Sequence, residues 1–416
     1  MRRRRAAGRL EVDGDQGAGR GRDQVLGDQV PRFGLGSGFV ERRWRSIAVA
    51  ACGAAAGLAV VIGASVSSRS PSLSSPSSPS PSLASAAASS AAAVRAPASP
   101  AVGYQRGNVS EHGDVYPYVV YVPPGLRAGA AAPVVVVLHG CDTTADQMAA
   151  ATQYDPLAER DRFIVLYPDV DALDADSFGR CWRGIWAPDL EGRGTGDAAA
   201  IADMTHAVVR RWHADPGRVY AIGISAGGYE TAILGAYYPD LFAAIGIHSG
   251  APYLGAEAGC LPAGANAAAT AGLAGTALNA MGPRARVMPV IVIHGDADPA
   301  LPYQCGHQAL AQWLGVDNVV LSRRGRPGVS GSSVMDAVVP GGHGYTVASY
   351  ADGSGCVVAQ LWIVHGMGHY WSGGSADPGS ARYSDPLGPS AAVASWAFFS
   401  RWGVSGPLGA CGARAG

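Results

Sequence analysis

Lysine is missing from this sequence: every one of the 31 Lys+Arg positions is arginine, and the formal net charge is -1. With no field of one sign over the chain, a nucleic acid or a strongly acidic partner is not expected. Missing too is any C-x-x-C or other zinc-type spacing among the seven cysteines. A thiolate metal centre is therefore excluded, and neither metal nor cofactor is expected. Apolar periodicity is absent from Met1 to Val40, and large apolar side chains are scarce from Ser67 to Pro100. Neither stretch can bury a core.

Between those two stretches, "VERRWRSIAVAACGAAAGLAVVIGASV" places Arg42, Arg43 and Arg45 ahead of the uncharged run Ile47–Val66, the layout of an export signal. Synthesis is accordingly expected to start near Val40. The run is about 20 residues long, enough to cross a bilayer core of about 30 Å, so a cleaved signal and an uncleaved anchor both fit. Either sends the remainder of the chain outside. Cys52 in "VAAC" resembles a lipoprotein box but lies too early in the apolar run. The expected organisation is a basic N-terminal extension (1–45), a signal peptide or signal anchor (46–66) and a Ser/Pro/Ala-rich linker (67–100). A folded domain (101–405) and a C-terminal tail (406–416) follow. The protein is expected to be secreted, or held at the membrane through 47–66 with the folded domain outside, and to be a monomer. Cys141, Cys181, Cys260, Cys305, Cys356 and Cys411 form an even set, as structural disulfides in an oxidising compartment require.

From residue 101 onward, short apolar runs alternate with helical patterns. "YPYVVYVPPG" reads as an edge strand; "PVVVVLHG", "FIVLYPD", "RVYAIGIS", "FAAIGIHSG", "PVIVIHGDAD" and "VVAQLWIVHGMGH" read as further strands. "GDAAAIADMTHAVVRRW" (Gly196–Trp212) reads as a helix. The pattern is that of a doubly wound α/β domain with a mostly parallel sheet flanked by helices.

In such sheets reactive groups gather at the carboxyl ends of strands. One strand ends at Gly223-Ile224-Ser225-Ala226-Gly227, a G-x-S-x-G that 58 glycines would supply about once by chance. Context decides its meaning. Asp296 and Asp298 end a later strand, and His365 and His369 a still later one, so Ser, Asp and His occur in the chain order of the α/β-hydrolase triad. Both aspartates are candidates for the acid. Of the histidines, His369 in a Gly-rich loop is the expected base, His365 a packed residue and His248 a supporting neighbour. Two His four apart converge on a metal only along a helix, which Gly366 and Gly368 argue against. Ser225 opens a helix, so the Ala226 N–H points at the reacting centre, and the Cys141 N–H is the second expected oxyanion donor.

Taken together, "LHGCDTTADQMAAATQYDPLAERDRFIVLYPD", "CWRGIW", the Ser225 block, "IVIHGDAD" and "HGMGHYWSGG" resemble the polyhydroxybutyrate depolymerase-like esterases, relatives of feruloyl and acetylxylan esterases. The resemblance covers about Tyr104 to Trp402. It implies an α/β-hydrolase fold and a secreted serine esterase with Ser225 as nucleophile, Asp298 as orienting acid and His369 as base. It also implies a disulfide between Cys141 and Cys181. Trp182, Trp186 and Trp371 lie beside these blocks, as an acyl pocket or as core. The chain departs from the pattern at Arg323–Gly342, which reads as a loop, and at Tyr370. No surface-binding module is visible, so the expected substrates are short-chain or hydroxyalkanoate esters and oligomers. A carbohydrate esterase is the second reading. An inactive, surface-displayed binding protein is the third, and it would lack a triad member, whereas none is missing.

Overall fold

The computed structural model describes residues 102–127, 129–170, 180–185, 187–255, 260, 267–380 and 382–411. The chain divides into two units, Met1–Ser90 and Ala91–Gly416. The expected extension, signal or anchor and linker lie outside the described residues, as does the end of the tail from 412. Among the described residues no helix is long and apolar enough to cross a membrane.

One ten-stranded sheet organises the second unit. It begins with a hairpin, β1 (Gly103–Glu111) and β2 (Asp114–Val122). The centre is β3 (Val134–Leu138), β4 (Ile164–Pro168), β5 (Val219–Ile224), β6 (Ala244–His248) and β7 (Val290–Gly295), buried at every position. β8 (Gly331–Val338), β9 (Gly344–Ala351) and β10 (Val357–Val364) complete it. The spatial order is β1-β2-β4-β3-β5-β6-β7-β10-β9-β8. From β4 to β10 every pairing is parallel, and both margins are antiparallel.

The continuous apolar runs follow from cover on both faces. Along β3, Val134, Val136 and Leu138 pack into one core and Val135 and Val137 into the other. The helices are α1 (Ala145–Thr152), α2 (Tyr154–Asp161), α3 (Gly196–Trp212), α4 (Ala226–Tyr237), α5 (Ala267–Met281), α6 (Gln304–Arg323) and α7 (Ala391–Phe399). The first core takes Ile201 and Val208 of α3, Ile233 of α4 and Trp313 of α6. The second takes Met148 of α1, Leu157 of α2 and Phe399 of α7. Each such buried aliphatic or aromatic side chain contributes about 1.5–3 kcal/mol.

Two strand expectations are corrected. "YPYVVYVPPG" belongs to β2, which is an inner strand with β1 outside it. β1 gave no apolar signal because "GYQRGNVSE" only half-buries alternate residues. Arg323–Gly342 contains β8 rather than a loop alone. β8 is exposed at nearly every position, so nothing imposes an apolar alternation on it.

The winding positions the site. From β3 the chain steps to β4 on one side and then returns to β5 on the other. The winding thus reverses between β3 and β5, and the carboxyl ends of strands at such a reversal are where ligands bind in open α/β sheets.

Candidate active site

Ser225 stands at that reversal, between β5 and α4. Its backbone has φ 58° and ψ -121°, a conformation that a side chain rarely adopts. The turn is tight enough that a Cβ on Gly223 would lie 2.3 Å from the Gly227 carbonyl oxygen, and one on Gly227 would lie 2.4 Å from that of His139. Only glycine fits at either place. Ser225 is partly exposed, and its hydroxyl makes no hydrogen bond to a described residue, His369 included.

Both candidate acids are paired, each with a different histidine. Asp298 Oδ2 accepts from His369 Nδ1 at 2.7 Å, and Asp298 Oδ1 accepts the Ala300 and Leu301 N–H groups at 2.8 and 2.9 Å. The Asp298 side chain is fully buried, while His369 keeps 23 % of its side chain exposed. Burial alone would raise the Asp298 pKa; hydrogen bonds from His294 and His369 and from the Leu301 N–H outweigh it and hold the carboxyl well below the usual carboxylate range. With Nδ1 donating to Asp298, His369 has Nε2 left as an acceptor. Asp296, by contrast, pairs with His365 at 2.9 Å on the surface and also accepts the Gly366 N–H.

His248 is a structural link that the sequence reading left vague. Its carbonyl accepts the Ser225 N–H at 3.0 Å, and its Nε2 accepts the Ser372 N–H at 3.0 Å, three residues past His369. One residue thus holds both the serine turn and the histidine loop. Its ring is fully buried and stacks on Trp371 at 4.9 Å. Burial, then the charges of His294 and His369, push its pKa down to about 3, so it is neutral. His294, which the sequence did not single out, is a further support. Buried, it donates through Nε2 to the Leu301 carbonyl at 3.0 Å and lies 3.4 Å from Asp298. The "HGDAD" segment contained its signal.

The loop after β3 is held from several sides. Cys141 is bonded to Cys181, and the Asp142 N–H donates to the Arg180 carbonyl at 2.8 Å. The Thr143 hydroxyl returns to the Gly140 carbonyl at 2.6 Å, and the Ala145 N–H reaches Asp169 at 3.1 Å. A Cβ on Gly140 would lie 3.2 Å from that of Ser225, so the loop abuts the serine. Neither the Cys141 nor the Ala226 N–H has a hydrogen-bond partner among the described residues.

The tryptophan pocket is corrected. Trp182 and Trp371 have no exposed surface and offer nothing to a substrate. Trp182 donates to the His139 carbonyl at 2.8 Å and its ring lies 4.7 Å from that of His139. Trp371 packs on His248 in the second core. Apolar size drew both inward. Trp186 lies outside the described residues. The aromatic next to His369 that does meet solvent is Tyr370, 40 % exposed. A cavity of about 520 Å³ lined by Arg127, Arg162, Arg218 and Trp396 lies at the opposite, amino-terminal ends of the strands, away from Ser225.

A family model described as esterase PHB depolymerase matches residues 116–328. Among known relatives, feruloyl esterase B of Thermothelomyces thermophilus is 33 % identical over 262 residues, 60 % of this chain and 82 % of that protein. A probable acetylxylan esterase A of Aspergillus fumigatus is 32 % identical over 215 residues, 47 % of this chain and 54 % of that protein. Poly(3-hydroxyalkanoate) depolymerase C of Paucimonas lemoignei is 30 % identical over 271 residues, 62 % of this chain and 59 % of that protein. This chain thus spans most of the first relative and little more than half of the other two. Fold and relatives together define a carboxylic-ester hydrolase of the α/β-hydrolase class. The chain belongs to the esterase PHB depolymerase family.

Proposed function

We propose that the protein is an exported serine esterase in which Ser225 is the nucleophile, His369 the general base and Asp298 the acid that orients it. The observation that carries this reading is the 2.7 Å contact of His369 Nδ1 with buried Asp298, on the loop tied through His248 to the Ser225 turn. In the cycle, His369 Nε2 takes the Ser225 proton as the oxygen attacks an ester carbonyl. The Ala226 and Cys141 N–H groups receive the oxyanion, and losing one such donor costs about 3 kcal/mol. His369 then protonates the leaving alcohol. Water, deprotonated by the same imidazole, releases the acid from the acyl-enzyme.

The reading extends to the organisation of the chain: a signal or anchor over 46–66, a linker over 67–100 and the catalytic domain over 101–405. Three disulfides, Cys141–Cys181, Cys260–Cys305 and Cys356–Cys411, support an oxidising, extracellular compartment. The proposed substrates are short-chain or hydroxyalkanoate esters and oligomers. The relative named feruloyl esterase B, matched over 82 % of its length, favours cell-wall carbohydrate esters as the second reading.

The test is initial rates of the full chain on a soluble 3-hydroxybutyrate oligomer, methyl ferulate and an acetylated xylo-oligosaccharide, with Ser225→Ala as blank. Turnover of the oligomer that vanishes in the variant supports the first reading. Larger rates on either of the other two move the assignment to carbohydrate esters. Turnover that persists in the variant overturns Ser225 as nucleophile.

A further inference from the structure

Three carboxylates converge beside the loop that carries Cys181. Glu191 precedes α3, Asp197 lies in its first turn, and Glu230 lies in α4, on the helix that Ser225 opens. One oxygen from each lies within 4.8 Å of the others. All three residues are buried, at 4 %, 2 % and 0 % exposure.

Two of them are provided with donors. Glu191 accepts the Asp197 and Ala198 N–H groups at 3.1 and 2.9 Å. Asp197 accepts the Tyr116 hydroxyl at 2.8 Å and the Arg183 N–H. Glu230 differs, because neither of its carboxylate oxygens has a hydrogen-bond partner among the described residues, although both are buried. Leaving a buried carboxyl without a donor is costly, and three carboxylates in one dry space repel one another unless something positive sits among them. The charge of Arg183 offsets part of this, but its guanidinium is also paired with Asp114 at 3.1 Å.

The surrounding backbone leaves the oxygens room. A Cβ on Gly184 would lie 2.7 Å from Glu230 Oε2, and one on Gly196 would lie 2.5 Å from Glu191 Oε2. Side chains at either place would push the carboxylates aside.

We propose that Glu191, Asp197 and Glu230 bind a hard divalent cation of calcium's class, with the Tyr116 hydroxyl at its side. The donors are oxygen only, which disfavours zinc and copper. Buried carboxylates leave little place for the waters that magnesium retains, whereas calcium accepts six to eight oxygens in flexible geometry. The ion would fasten the start of α3 and the Cys181 loop to α4, the helix that follows the nucleophile. It binds apart from the ester chemistry and takes no part in it. Its absence from the cysteine pattern follows from its chemistry, since oxygen ligands spaced 6 and 33 residues apart leave no motif.

The test uses the full chain, purified and then stripped with EDTA. Metal content before stripping is read by mass spectrometry, and the thermal midpoint is followed on adding calcium or magnesium chloride. The expected result is about one calcium per chain, and a rise of about 5 °C in Tm at a hundredfold excess of calcium over its Kd. Glu230→Gln should lose both the bound calcium and the shift. Gln replaces the carboxylate with a neutral group of the same shape, so the variant should fold in EDTA; Glu191→Gln provides the same readout should it not. No bound calcium together with no shift in the wild type overturns the proposal and leaves protons as the cluster's neutralising charge. A shift undiminished in both variants places the ion elsewhere and overturns it equally.

Discussion

Two Asp–His pairs form from the same two loops, after β7 and after β10, with nearly equal separations: 2.7 Å for Asp298–His369 and 2.9 Å for Asp296–His365. Their surroundings separate them. The Asp298 side chain is fully buried and takes two backbone N–H groups on its other oxygen, while Asp296 is 33 % and His365 49 % exposed. His365 also contacts Thr346 through Nε2 at 3.0 Å, so both its ring nitrogens are engaged and none is left to act as a base. Contact distance alone does not make a catalytic pair. Burial and an unengaged nitrogen are what single out Asp298–His369 as the proposed pair.

The comparison can be sharpened by kinetics and by unfolding. The largest effect is expected at the proposed nucleophile: Ser225→Ala should lower kcat on the order of 10⁶-fold, read by the hydrolysis rate of a chromogenic ester. Next, Asp298→Asn should cost about 10⁴-fold in kcat by misorienting the His369 tautomer. Asp296→Asn should cost less than about threefold, as a screened surface pair predicts. Equal losses at the two aspartates would erase the distinction.

A fourth expectation, on stability rather than rate, concerns His248. In the folded chain its pKa is about 3 against an ordinary 6.5. The unfolded chain takes up a proton as pH falls below 6.5, and the folded chain does not until pH nears 3. Stability should therefore fall through that window, by at most about 5 kcal/mol from this group. His248→Gln, which can still accept the Ser372 N–H, should flatten this part of the profile of unfolding free energy against pH; an unchanged slope would assign the acid sensitivity to other groups. Smallest of all, His365→Ala should shift stability by no more than about 1 kcal/mol, the usual range for exposed ion pairs, which denaturant melts can read.

Much of this was legible beforehand wherever a residue's role is fixed by its near neighbours. β3 to β7 and β10 announced themselves through Val and Ile runs buried on both faces, and Gly196–Trp212 is a helix over the expected residues. β1 and β8 were not legible, because exposure at a sheet margin removes the apolar pattern that sequence reading relies on. The choice between Asp296 and Asp298 rested on resemblance, since two residues in one turn differ only in what folds over them. Trp182 and Trp371 were placed beside the right blocks, but which way they face depends on partners far along the chain, His139 and His248. The link through His248 joins Ser225 to Ser372, and no local pattern encodes a contact across that much sequence.

The backbone at Ser225 carries a consequence for selection. Its positive φ of 58° with ψ -121° costs about 1–3 kcal/mol for any residue with a Cβ, and glycine would relieve it. On the proposed role of Ser225, a screen that rewards heat tolerance alone would drift toward Gly at this position and lose turnover in doing so. Under that role, activity and stability pull this one position in opposite directions.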